Sequence, residues 1–344
     1  QIVWQREVDR DSTPRDGSGP VGKPEGRHGQ RFHVEHNLAS PSVVTDGETL
    51  IVHFGNGTLA AYDFDGDELW KRNMQKEHVP YSIWWGHANS PVLYKNLAII
   101  LSMQDSCDDL IDKPYESYIV AYDKKTGEQV WKTIRMYGSE KEYSDSYTTP
   151  VFWEHEGRIE MLVYGSETLD AYNPLTGERY WYATGLDEKR IITNQLPYKD
   201  IVIVTRGKSG PTVCVRPKGL GKQAPEAFLW TSDRNTPDTV TPVVCNDLLF
   251  TISDSGMIKC MDPYTGEIFW SEKLRGIFRS SALACDGHIY FTNRDGETTV
   301  IEASKEYKVV AENKIDDSTY GSPVVSQGNL FLRGHRALYC FGNK

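Results

Sequence analysis

At 344 residues, with 39% hydrophobic and 25% charged side chains, the chain is long enough to bury a sizeable core without metal or disulfide support. A formal net charge of −10 and the lack of a basic run argue against binding a phosphate backbone, so nucleic acid is not an expected partner. No window approaches 18 uninterrupted apolar residues, which excludes a membrane-spanning helix, and the stretch opening at Gln1 does not read as a signal peptide.

In chain order, QIVWQREVD reads as a lone outer strand over residues 2–8. Residues 11–35 are rich in Gly, Pro, Arg and Asp without apolar periodicity and are predicted to form a long loop. His28, His33 and the nearby His36 lack the spacing of a ligand set, so a solvated connection is preferred there to a metal site.

Seven repeats follow, at about 39–73, 89–136, 148–184, 191–232, 240–274, 280–315 and 321–341. The fifth is the clearest: TPVVC, LLFTIS, MIKCMD and EIFWSEK are short strands parted by turns at Asn246-Asp247, Asp254-Ser255-Gly256 and Pro263-Tyr264-Thr265-Gly266. A turn glycine, three residues and a tryptophan recur at Gly66/Trp70, Gly127/Trp131, Gly177/Trp181 and Gly266/Trp270. The fourth repeat keeps Trp230 but stretches its third turn through 217–221, and the sixth is read with Val310 in the tryptophan position. A period of roughly 40 to 50 residues with four strands each implies an all-β propeller of four-stranded antiparallel blades. The chain ends after three strands and begins with one, so one domain of seven blades closed by the N-terminal strand is expected; the alternative is an eight-bladed ring with an upstream blade missing.

Cys214, Cys260 and Cys340 fall where other repeats have Ala61, Ala121 and Ala171, and Cys245 and Cys285 share a second slot, so free thiols acting as small apolar groups are expected. The link QKEHVPYSIWWGHAN carries Trp84, Trp85 and His87 into Asn89, and connections between blades are where propellers bind ligands. Tyr147, Arg190, Arg279 and Tyr320 open later blades in the same way. These eight are the ligand-binding candidates of a central funnel, against the simpler reading in which the indoles only pack. Asp105, Asp108, Asp109 and Asp112 are weak Ca²⁺ candidates, since their spacing does not match the usual loop and suits a solvated acidic insertion. No nucleophile elbow, P-loop or haem-attachment string occurs, and no catalytic residue is selected.

The phrase Ala-Tyr-Asp-x-x-Thr-Gly-Glu-x-x-Trp, intact at Ala121 to Trp131 and nearly so at Ala171 to Trp181 and Cys260 to Trp270, resembles the pyrroloquinoline-quinone-like (PQQ-like) repeat. That repeat is shared by quinoprotein dehydrogenases, by the propeller lipoprotein of the outer-membrane assembly machinery and by secreted or envelope propellers of planctomycete-type bacteria. The dehydrogenases have adjacent cysteines over the quinone, and no two cysteines here are neighbours. The resemblance therefore implies a non-catalytic binding or scaffold propeller of the bacterial cell envelope, periplasmic or secreted, presenting loops and a central funnel to a protein, glycan or small ligand, with no cofactor expected. Its alternative is a PQQ-dependent dehydrogenase of alcohols or sugars, with Ca²⁺, Trp84 or Trp85 as ring platform and Arg190 or Arg279 facing quinone carboxylates.

Overall fold

Short runs of β-branched and aromatic residues, cut by Gly, Asn and Asp turns, make short antiparallel ladders whose two faces both need cover. The computed structural model describes residues 2–7, 36, 38–81, 83, 85–104, 116–136, 143–186, 190–207 and 210–342. They form the expected all-β, seven-bladed propeller of antiparallel sheets. No helix among them is long and apolar enough to cross a membrane.

The strands gather into two compact units, Gln1–Ile191 with Gly219–Lys222, and Ile192–Lys218 with Gln223–Lys344. The first unit holds three sheets: β1–β4 (Val44–Thr45, Leu50–His53, Thr58–Tyr62, Glu68–Asn73), β5–β8 (Val92–Tyr94, Leu97–Ser102, Tyr118–Asp123, Gln129–Ile134) and β9–β12 (Val151–His155, Arg158–Gly165, Thr168–Tyr172, Arg179–Ala183). The third gains a fifth strand, β16 (Gly221–Lys222), which the stretched turn of the fourth repeat lays parallel to β12 through Trp181↔Gly221 and Tyr182↔Lys222. A single helical turn, α1 (Met74–Glu77), follows the first sheet and is capped by the Asn73 side chain.

The second unit holds β13, β14, β15 and β17 (Leu196–Tyr198, Ile201–Thr205, Thr212–Val215, Phe228–Ser232), then β18–β21 (Val243–Cys245, Leu248–Ile252, Met257–Met261, Ile268–Lys273) and β22–β25 (Leu283–Cys285, His288–Thr292, Glu297–Glu302, Val309–Lys314). Its last sheet has three described strands, β26–β28 (Val324–Ser326, Asn329–Arg333, Leu338–Phe341). Residues 2–7, read from the sequence as the fourth strand of that blade, carry no ladder among the described residues. They are held by side chains instead: the Trp4 indole donates to the Phe64 carbonyl at 2.8 Å and lies over Gly66, and Arg6 faces Asp67 at 3.8 Å.

The same contact joins neighbouring blades within each unit. Trp70 donates to the Lys124 carbonyl at 2.9 Å, and Trp230 donates to the Pro263 carbonyl at 2.9 Å. Each indole is laid on the turn glycine of the next blade, Trp70 on Gly127, Trp131 on Gly177 and Trp230 on Gly266. The glycine is required twice over: φ is +71° at Gly127, and a Cβ there would stand 2.6 Å from Trp70 Cδ2. Trp270 donates to the Ser304 carbonyl at 3.1 Å beside Tyr307, in a blade that lacks the glycine. Trp181 differs, its Nε1 donating to the buried Glu160 carboxylate at 2.6 Å.

Register corrects one sequence assignment. Trp70, Trp131, Trp181, Trp230 and Trp270 stand opposite Ala61, Ala121, Ala171, Cys214 and Cys260, and their counterpart in the sixth blade, opposite Val300, is Ala311. The turn between β24 and β25 is one residue longer than the one between β20 and β21, with Ile301↔Val309 where the fifth blade has Met261↔Ile268, and Val310 is 49% exposed. The five described cysteines are free thiols, and burial pushes both Cys214 and Cys260 up to about 12, so they stay neutral against their tryptophans. Cys107 lies outside the described residues.

Gly127→Ala should cost about 2 to 4 kcal/mol, backbone strain plus displacement of the Trp70 indole. Gly157→Ala, at φ +75° with nothing within 4 Å of the added methyl, should cost only about 1 kcal/mol. Chemical denaturation of both variants checks the difference, and equal losses would deny the glycine its role as a landing plate.

Candidate ligand-binding site

The connections of the first unit are where the sequence concentrates its candidates, and their backbone is pinned from below. Gln75 at the start of α1 donates to the Asn56 carbonyl at 2.8 Å and accepts from the Tyr81 N–H at 2.9 Å. Tyr81 thereby faces inward, its hydroxyl 3.0 Å from His53 Nε2, while His53 Nδ1 lies 3.3 Å from the Asn89 carbonyl. His87 fills the space between them, stacked on Tyr81 at 4.3 Å and edge-on to His53 at 4.7 Å. His36 closes over Gly86, where a Cβ would stand 2.2 Å from His36 Cδ2, so the chain reaches His87 through a residue that must be glycine.

Asn89 ties this connection to the next. Its Nδ2 donates to the carbonyls of Ser146 at 3.0 Å and Thr148 at 2.7 Å. Ser146 in turn bridges antiparallel to Met103 and parallel to Ile191, and the Tyr147 N–H donates to the Ile191 carbonyl at 2.8 Å. Three successive connections are therefore one hydrogen-bonded body. On it, the Arg190 guanidinium sits 5.9 Å from the Trp85 ring centre, both side chains half-buried. An indole face beside a guanidinium is a surface on which a planar or glycan ring can stack. A second lock lies nearby in sequence, where fully buried Arg135 pairs with buried Asp170, which Arg179 also meets at 3.2 Å.

The structure thus separates the eight candidates. Trp85 and Arg190 are together and half-buried. His87 and Asn89 are fully buried, a correction to their expected place as funnel-lining groups: they hold the connections rather than face a ligand. Tyr147 packs against the core shared by the first two sheets. In the second unit Arg279 is paired with Asp254, which also accepts from the backbone of Asp238 and Thr239, and Tyr320 is 59% exposed beneath Arg294. Trp84, Asp105, Asp108, Asp109, Asp112, His28 and His33 lie outside the described residues. Among the described residues no group of three or more His, Cys, Asp or Glu side chains is arranged to hold a metal ion. The His53–Tyr81–His87 cluster was missed from sequence, because His53 lies in β2 and meets Tyr81 and His87 only once the chain is folded.

The sequence matches the family model for the outer membrane protein assembly factor BamB over residues 1–218 and 222–309. The structure is similar to BamB from Moraxella catarrhalis, with a TM-score of 0.64 at 15% identity over 88% of this chain and 84% of that one. It is also similar to a europium-containing methanol dehydrogenase, with a TM-score of 0.60 at 11% identity over 87% of this chain and 72% of that one. None of the curated proteins compared matches the sequence.

Burial holds His53 down at about 4, and it holds His87 well below the usual histidine range, with His53 and His36 adding repulsion. Both are neutral in the fold and protonated more readily once unfolded, so stability is whole above about pH 6.5 and falls as the pH drops toward 4. For His53 alone the loss is on the order of 3 kcal/mol across that window. Calorimetry from pH 7.5 to 4.5 should show the melting temperature falling steeply below 6.5. His87→Phe, which keeps a ring on Tyr81 and removes one titration, should flatten that fall; an unchanged slope would mean the cluster does not control it.

Proposed function

Because the chain belongs to the outer membrane protein assembly factor BamB family, we propose that it is a non-catalytic binding or scaffold propeller of the bacterial cell envelope with a protein as its partner. The observation that carries the reading is the rigid body of three connections presenting Trp85 and Arg190. Tryptophan and arginine on a pre-organised surface are the side chains that dominate protein interfaces, since little freedom remains to be lost on binding. Tyr147, His87 and Asn89 serve by holding that surface in place.

The dehydrogenase reading rests on likeness at 11% identity, which carries the fold alone. Of the groups that reading would use, Arg279 is already paired with Asp254 and no group of three or more His, Cys, Asp or Glu side chains among the described residues is arranged to hold a cation, while Trp85 and Arg190 stand side by side in either reading. Adding pyrroloquinoline quinone with Ca²⁺ should leave the melting temperature unchanged; a rise of several degrees would revive the enzyme.

A photo-crosslinking residue at position 190 in the intact envelope should trap a defined protein adduct, lost when Trp85 is replaced by alanine. The same probe at the exposed Glu154 of β9 should not trap it. Equal trapping at both positions, or none at either, would reject this surface as the binding one.

A further inference from the structure

Within the second unit, a cleft of about 280 Å³ opens between the sixth and seventh sheets, lined on one side by Tyr290, Thr298 and Ile315 and on the other by Pro323, Leu332 and Phe341. Its origin is legible from the repeat. Between the first and second blades, Leu59 and Trp70 pack against Ile100 and Tyr122, with the Trp70 and Tyr122 ring centres 6.3 Å apart. By ladder register the sixth blade has Thr298 in place of Leu59, Ala311 in place of Trp70 and Asn313 in place of Arg72. The seventh blade keeps its half of the contact, with Leu332 in the place of Ile100 and Phe341 in the place of Tyr122. The slot has lost its indole and kept the ring the indole would meet.

We propose that this slot receives a planar aromatic side chain, of indole size, from a partner polypeptide. The lining is apolar at its base, with Thr298 and Asn313 able to accept from a ring N–H, which is the composition of a recognition pocket. The two sheets that line the cleft also leave Val309, Val324 and Leu338 exposed, apolar area that a side chain on a polypeptide can cover and a free molecule seated in the cavity alone cannot. The site extends the binding reading to a second surface, and trapping at position 190 does not depend on it, so the two proposals fail separately.

The test titrates the full chain with indole and with N-acetyl-L-tryptophanamide by calorimetry. Both should bind the native protein, and Phe341→Ala should weaken both by roughly 2- to 10-fold through loss of the facing ring. Ala311→Trp supplies the missing indole internally, so it should raise the melting temperature and abolish binding of both probes. Binding of neither probe, unaltered affinity in Phe341→Ala, or undiminished binding in a folded Ala311→Trp would overturn the site. Binding of indole with exclusion of N-acetyl-L-tryptophanamide would overturn the polypeptide partner. Should Ala311→Trp fail to fold, the Phe341→Ala affinities decide the matter.

Discussion

An indole laid on the next blade's turn glycine, its N–H on the next carbonyl, is the interaction on which this structure depends. A four-stranded meander has two faces to bury and cannot do so alone. Trp70 on Gly127 and Trp230 on Gly266 bury one face of each sheet while fixing its angle to the neighbour through a directional bond. The contact is made from both sides, since the arriving tryptophan belongs to one repeat and the vacant side-chain position to the next. Arg72 and Thr133 reinforce it by donating to the carbonyls of Gly127 and Gly177, at 2.9 and 2.7 Å.

The connections obey a different constraint. Irregular backbone carries polar groups that must be paired when buried, and here Gln75, Asn89 and Ser146 do the pairing. The neutral histidines fill the remaining volume, and their burial makes this part of the first unit sensitive to acid. Rigidity built this way suits a surface that binds without rearranging. Trp85 and Arg190 are held side by side on it.

Much of the fold was legible in the sequence because the Gly-x-x-x-Trp spacing and the third-strand phrase repeat with turn chemistry between them. The meaning of the glycine was not legible, because the residue it accommodates lies in the preceding repeat. Ala311 was mistaken for its neighbour Val310 since the turn before β25 holds one residue more than the turn before β21, which no spacing rule announces. His87 and Asn89 looked like site residues because connections between blades are where propellers bind ligands; Asn89 is buried by its hydrogen bonds to the Ser146 and Thr148 carbonyls, some 60 residues further on, and His87 by its packing on Tyr81 and His53. β16 escaped for the same reason, as its pairing with β12 joins a turn to a strand of an earlier blade.

The central claim is that sheets are secured in proportion to the indole contacts they make, and native-state hydrogen exchange measures it directly. β6 and β7, lying between Trp70 and Trp131, should exchange only on global unfolding, and β27 and β28, beside the slot that lacks its indole, through local opening at lower free energy. Protection of β27 and β28 equal to that of β6 and β7 would contradict it.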